Sequence, residues 1–304
     1  MKQAIILINA NGGTAKGDNR IGDKVRAALD AAGIAGEVEL LNGPTVATRA
    51  KEAVAANAPL LIAGGGDGTI SAAAGAVAGS DTSLGILPLG TLNHLARDLG
   101  ISFDLTEAAA VIGSGTGQRI DVAELNGRVF VNNSAIGLYP LMVVDRDNQQ
   151  KRLGRSKKFA MAVAAARTIA RFRQSRVTLC ADGERLAVET PLLFVGNNDY
   201  AVALPTAGKR ESLSHGQLCV LVLRKQGRWG LFATATRALL GRTRDNDMIR
   251  LEAVEQLRVE SRRSYLTVSI DGETEQLQSP LEYRIRKRAL RVMAPHPLPA
   301  KVPR

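Results

Sequence analysis

The residues best suited to chemistry stand together as Gly64-Gly65-Gly66-Asp67-Gly68-Thr69, directly after the apolar run Leu60–Ala63. Glycines lack the side chain that would hold a polyphosphate away from the backbone. Amides in such a loop, and at the start of a following helix, can donate to phosphate oxygens. Thr69 can add a hydroxyl or cap that helix. Asp67 is the unexpected member, because a carboxylate repels phosphate unless a cation lies between them. Magnesium, shared between phosphate oxygens and one or two carboxylates, supplies that cation. The string therefore points to Mg2+-ATP, with Asp67 as the metal-side residue; the plainer reading is a strand-to-helix turn with Asp67 as an N-cap.

Two rival phosphate motifs fail. A Walker loop needs Lys-Ser or Lys-Thr after its last glycine, but Gly17 is followed by Asp18-Asn19. A dinucleotide fingerprint needs a third glycine where Ser71 stands. His94, His215 and His296 are scattered, and Cys180 and Cys219 have no zinc-ligand spacing, so no zinc site is supported. The two cysteines read as buried thiols in a reducing compartment.

The surrounding pattern supplies the scaffold. Strands are expected at Ala4–Ile8, Val38–Leu41, Leu60–Ala63 and Leu84–Leu87, alternating with helices at Asp23–Ala31, from a Thr45 cap toward Ala56, at Ile70–Ala78 and at Leu92–Leu99. Strand–turn–helix repetition implies an α/β domain with a parallel sheet covered on both faces. After about Asp121, strand-like runs at Arg128–Asn132, Val177–Cys180, Leu192–Val195, Leu218–Leu223, Leu257–Val259 and Tyr265–Ile270 predict a second, largely antiparallel β-rich domain. The expected division is 1–122 and 123–288, with 289–304 returning to the first domain.

The chain has 304 residues, 45% hydrophobic content and only 4% aromatics, an ordinary globular composition. Its net charge of +11 suits phosphorylated ligands, anionic membranes or nucleic acid without choosing among them. Nucleic acid is not expected, because it leaves the phosphate loop without a purpose. No run approaches the ~20 apolar residues that span a bilayer. The short apolar start ends in Asn and Gly and reads as a first core strand, not a signal peptide. A cytoplasmic protein is the expectation, peripheral at the inner membrane surface if its substrate is a lipid. The basic stretch 151–158, with Arg167, Arg171 and Arg173 after it, suits anionic headgroups or is simply a solvated face.

Taken with Pro88–Thr91 (PLGT) and Asn93, the GGGDGT string resembles the diacylglycerol kinase catalytic-domain superfamily, which is distantly related to NAD kinases. The likeness extends to INANGG near the start, GTLNHLARDLGI, RIDVAELNGRVFVNN, VGNNDY and the late VSIDGE. It implies ATP and Mg2+ as cofactors and a lipid hydroxyl as acceptor, met at a membrane surface; a homodimer is left open. It further implies nucleotide contacts from Asn9, Gly13, Thr91 and Asn93, and phosphate binding by Gly64, Gly65, Gly66, Asp67, Gly68 and Thr69. Asp121 matches an acidic residue at the domain junction, in the cleft, and Asp271 matches the general base for the lipid hydroxyl. On residues alone, Asp271-Gly272 is a hairpin turn, and Asp182-Gly183-Glu184 is a near-identical decoy.

Three departures stand out. Ala10 replaces the proline of the family's first turn, and His94 replaces the aspartate that follows Asn93. Ser212-Leu213-Ser214-His215-Gly216 replaces an Asp-rich turn that holds a structural magnesium, so no second metal is expected. The leading function is a lipid kinase. The alternatives are an NAD kinase-like enzyme and a catalytically weak nucleotide-binding regulator.

Overall fold

The computed structural model describes residues 2–12, 15, 17–138, 140, 174–200, 210, 212–224, 227, 230–231, 233–234, 237 and 247–295. The basic stretch 151–173, the Pro-rich end 296–304 and Gly13 lie outside them. The chain divides into two compact units. The first comprises 1–122, 128–131 and 286–304; the second comprises 123–127 and 132–285.

In the first unit the chain runs through β1 (Lys2–Gln3), β2 (Ile5–Asn9), α1 (Ile21–Ala31), β3 (Ile34–Ala35), β4 (Val38–Leu41), α2 (Gly43–Ala55), β5 (Leu60–Gly65), α3 (Asp67–Val77), β6 (Ser83–Pro88), α4 (His94–Asp98) and α5 (Leu105–Ser114). Strands β6, β5, β2 and β4 lie side by side in that order and are all parallel. Consecutive residues Ile6, Leu7 and Ile8 are all buried, as are Leu60 to Gly65. Continuous burial of both strand faces requires cover on both sides. Helix α1 packs on α5, and α2 on α3.

Helix starts differ from the sequence expectation, and those of α2 and α3 have visible causes. Asn42, not Thr45, caps α2, and its carbonyl accepts from Thr45 N and Val46 N. Pro44 explains this: a proline is tolerated in the first turn, which moves the cap upstream. Helix α3 begins at Asp67, so the last half of the glycine string is already helical.

The chain continues through β7 (Thr116–Leu125), β8 (Arg128–Phe130), β9 (Asn133–Gly137), β10 (Ser175–Ala181), β11 (Glu184–Thr190), β12 (Leu192–Asn197), β13 (Leu218–Leu223), β14 (Met248–Val254), β15 (Gln256–Ser261), β16 (Tyr265–Ile270), β17 (Glu273–Gln278) and β18 (Leu281–Ala294). In the second unit one sheet has the order β14-β13-β12-β9-β16-β17, antiparallel throughout. Strands β11, β10, β15 and the start of β18 form a second antiparallel set. The end of β18, in the first unit, runs parallel to β6. The α/β-plus-antiparallel architecture is therefore the one the sequence predicts.

Three hairpins of this region use one device. Asn126-Gly127, Asp182-Gly183 and Asp271-Gly272 all have positive φ at both residues, the pattern of two-residue type I′ turns. In each, the Asn or Asp backbone N–H donates to a neighbouring strand and its side-chain oxygen accepts from it. The partners are Glu282 for Asn126, Glu255 and Gln256 for Asp182, and Asn132 and Asn133 for Asp271.

Cys180 and Cys219 are both free thiols. Cys219 is buried as expected, and desolvation pushes its thiol up from the usual range. Cys180 is half-buried, because its strand β10 has a solvent-facing side. Among the described residues, no helix is long and apolar enough to cross a membrane.

Candidate functional site

The register places Asn9 at the end of β2, Gly65 at the end of β5 and Pro88 at the end of β6, along one carboxyl edge. From β2 the chain moves to β4 on one side, then crosses to β5 on the other. That reversal opens a crevice between β2 and β5, the usual ligand position in open α/β sheets. One hydrogen bond spans it: Asn9 Nδ2 donates to Thr69 Oγ1 at 2.9 Å. Asn9 Oδ1 also accepts from Asn11 N, which fixes the turn that follows β2.

Gly66 is the N-cap of α3 and makes no side-chain capping bond. Helix geometry leaves the first-turn amides without intrahelical acceptors. Glycine is needed here for packing too. A Cβ on Gly65 would lie 2.6 Å from the Thr69 side chain, and one on Gly64 would lie 2.5 Å from Ile8 Cδ1. A Cβ on Gly90 would lie only 2.3 Å from Gly66 Cα. The loops after β5 and β6 thus touch backbone to backbone.

Asp67 locks that contact. Its Oδ1 accepts from His94 N at 2.6 Å and its Oδ2 from Asn93 N at 3.0 Å. It caps neither its own helix nor a free solvent edge; it holds the start of α4. To reach it, Asn93 adopts a left-handed conformation (φ 45°), and its Nδ2 donates to Gly90 O. This explains why α4 begins at His94 and not at Leu92. It also gives the Asp67 carboxylate two N–H partners that sequence reasoning did not supply. The role of position 94 in this clamp is played by its backbone, so a histidine there leaves the clamp intact. Thr91 is exposed in the same loop, and Gly68 lies in the first turn of α3.

Replacing Asp67 with Asn should destabilise the chain by ~1–2 kcal/mol, because one amide would face an NH2 group in place of an oxygen. Chemical denaturation checks this. An unchanged midpoint and slope would remove the clamp from consideration.

Asp121, on β7, is 1% exposed, and its Oδ1 accepts from Arg288 N at 2.7 Å. Arg288 has φ 51°, so the observed bond holds an irregular residue of β18. Asp271 belongs to a different cluster, in the second unit. Its Oδ1 accepts from Asn132 N at 2.8 Å and Asn133 N at 3.1 Å. Around Asn132, VGNNDY supplies Asn197 and Tyr200, and Arg210 joins them. The Asn132 carbonyl accepts from Asn197 N and Tyr200 Oη, both at 2.9 Å. The family-like segments FVNN, VGNNDY and IDGE therefore meet at one point. Arg210 carries no motif signal; its neighbours Lys209 and Glu211 read as an ordinary charged loop.

Asp199 accepts from Arg250 Nη2 at 2.7 Å and from Gln217 Nε2, with His215 Nδ1 at 3.5 Å. Among the described residues, no group of three or more His, Cys, Asp or Glu side chains is placed to hold a metal ion.

A glycine-rich helix start at the switch crevice of a parallel sheet, in a chain that also carries an antiparallel β unit, defines an α/β protein with a β-rich second domain. Residues 3–125 match the family model described as the diacylglycerol kinase catalytic domain. Residues 141–294 match the YegS C-terminal NAD kinase beta sandwich-like domain. The chain belongs to the diacylglycerol kinase catalytic-domain superfamily, in its form with an NAD kinase-like C-terminal domain. Among curated relatives, a diacylglycerol kinase of Bacillus subtilis (strain 168) is 27% identical over 227 residues, 74% of each chain. A diacylglycerol kinase of Staphylococcus aureus (strain bovine RF122 / ET3-1) is 25% identical over 226 residues, covering 74% of this chain and 71% of that one. A crystal structure of a diacylglycerol kinase from Bacillus anthracis Sterne has the same fold, with TM-score 0.70, 20% identity and 98% of each chain covered.

Proposed function

We propose that this chain is an ATP-dependent lipid kinase that transfers the γ-phosphate to a hydroxyl of a diacylglycerol-like or sphingoid lipid. The observation that carries this reading is the uncapped start of α3 beside Gly66, at the crevice between β2 and β5. A polyphosphate fits there. The α3 amides offer donors, and a Cβ on Gly66 would meet nothing nearer than Gly90 Cα at 3.5 Å, so the loop can be approached closely. Asn9 orients Thr69, and Thr91 stands exposed on the adjoining loop.

A magnesium ion, when bound, would neutralise charge on the phosphates. Asp67 is the residue that would hold it, through carboxylate lone pairs left after its two N–H bonds, with phosphate and water oxygens completing the set. The Asp67–Asn93–His94 clamp meanwhile keeps the loop shaped without the ion. Asp271 takes the proton of the acceptor hydroxyl as its oxygen attacks the γ-phosphorus and ADP departs. The acceptor, being a lipid, would be met at a membrane surface.

The test is transfer of label from γ-labelled ATP into diacylglycerol, ceramide and sphingosine, with NAD as control acceptor. Label in at least one lipid and none in NAD is expected. Label in NAD alone would overturn the proposal, and ATP binding without transfer to any acceptor would point to a regulator.

A further inference from the structure

We infer that Arg210 is a positioning residue for the acceptor side of the reaction, acting on Asp271 through Asn132. This rests on the lipid-kinase reading above and extends it to a residue that no motif marks.

Arg210 is 1% exposed, and among the described residues it is the largest side chain that is almost wholly buried. Burying a guanidinium is costly unless it is held by oriented acceptors, so the groups around Arg210 fix where it sits. Its Nη2 donates to Asn132 Oδ1 at 3.3 Å, and its guanidinium lies 5.7 Å from the centre of the Tyr200 ring. Tyr200 is fixed in turn. Its hydroxyl donates to the Asn132 carbonyl, and its ring meets Phe194 edge-on at 5.3 Å. Asn132 is thus gripped at its side chain by Arg210 and at its carbonyl by Tyr200 and Asn197.

The backbone N–H of Asn132 in turn donates to Asp271 Oδ1. Any rotation or shift of Asn132 therefore moves the carboxylate it anchors. The decoy turn makes the contrast. Asp182 divides its two oxygens between Glu255 N and Gln256 N on an exposed edge, whereas the Asn132 and Asn133 amides both converge on Asp271 Oδ1, beside a buried cation-bearing cluster. A displacement of only an ångström at a catalytic group can cost about 10²-fold in rate.

The experiment measures kcat and KM for ATP, with equilibrium ATP binding and thermal melts, for wild type, Arg210→Lys, Arg210→Met, Asn132→Ala and the Arg210→Met/Asn132→Ala double variant. Arg210→Met should lower kcat by about 10²-fold with KM for ATP and ATP binding little changed, and Arg210→Lys should recover part of the loss. Because Arg210 acts through Asn132, the double variant should be little worse than the poorer single one. Losses that multiply in the double variant, or a folded Arg210→Met with wild-type kcat, would overturn the inference. If Arg210→Met does not melt cooperatively, Arg210→Lys and Asn132→Ala decide, and wild-type kcat in both sinks the idea. Absence of lipid phosphorylation by the wild type would instead sink the underlying functional reading.

Discussion

Asp271→Asn is expected to lower lipid phosphorylation by about 10³-fold while leaving ATP binding nearly unchanged. The size follows from removing a positioned general base, which contributes roughly 10²–10⁴ in rate. ATP binding should persist because the uncapped start of α3 and its glycines belong to the first unit, and Asp271 to the second. Asparagine keeps a side-chain oxygen for the Asn132 and Asn133 amides and tolerates positive φ, so the β16–β17 turn should survive. Asp182→Asn provides the control. Its turn has the same backbone signs, but one of its two oxygens would become an NH2 group facing an N–H donor. A small loss of stability with normal turnover is expected there. If Asp182→Asn abolished transfer and Asp271→Asn did not, the base would be assigned to the wrong hairpin.

The second large effect is predicted at Gly90. Alanine there would bring a methyl group to 2.3 Å from Gly66 Cα and 2.7 Å from Asn93 Oδ1. Backbone cannot rotate away as a side-chain tip can, so the β5 and β6 loops must separate. A loss of ~1–3 kcal/mol in stability is expected from such overpacking. ATP affinity should fall by about tenfold or more, since roughly 1.4 kcal/mol of loop distortion suffices for that. Gly75→Ala, within α3, is the matched control: its Cβ would meet only Val129 Cβ, at 3.8 Å. Helix propensity favours alanine by about 0.5–1 kcal/mol there. Calorimetric titration with ATP, paired with melting of each variant, separates the two. Equal affinities in the two variants would show that the loop contact is irrelevant to nucleotide binding.

What could be read from the sequence followed a physical rule. Strands buried on both faces, such as Leu60–Gly65, announce themselves as apolar runs, so the parallel sheet was legible. Strand β18 was not. Its middle reads Arg284, Arg286, Lys287, Arg288, and its inward residues are too widely spaced among charges to stand out. Helix α5 escaped for a different reason: its small Ala and Gly residues give a weak apolar stripe. At the site, GGGDGT was visible because three consecutive glycines, an aspartate and a further Gly-Thr form a specific string directly after a buried apolar strand. Its partners were not, because they are backbone amides 26 and 27 residues away. Arg210 was invisible because burial of a charged side chain is decided by tertiary packing alone.

The Asp67 clamp and the Gly66–Gly90 contact have a consequence for how a nucleotide would be received. A glycine-rich loop ordinarily samples many conformations, and its ligand must freeze them at an entropic cost of about 1–2 kcal/mol per residue. Here a carboxylate and a backbone contact have already chosen the conformation during folding. Nucleotide would then arrive at a rigid receptor, and its association should show little of the unfavourable entropy that marks a loop closing on its ligand.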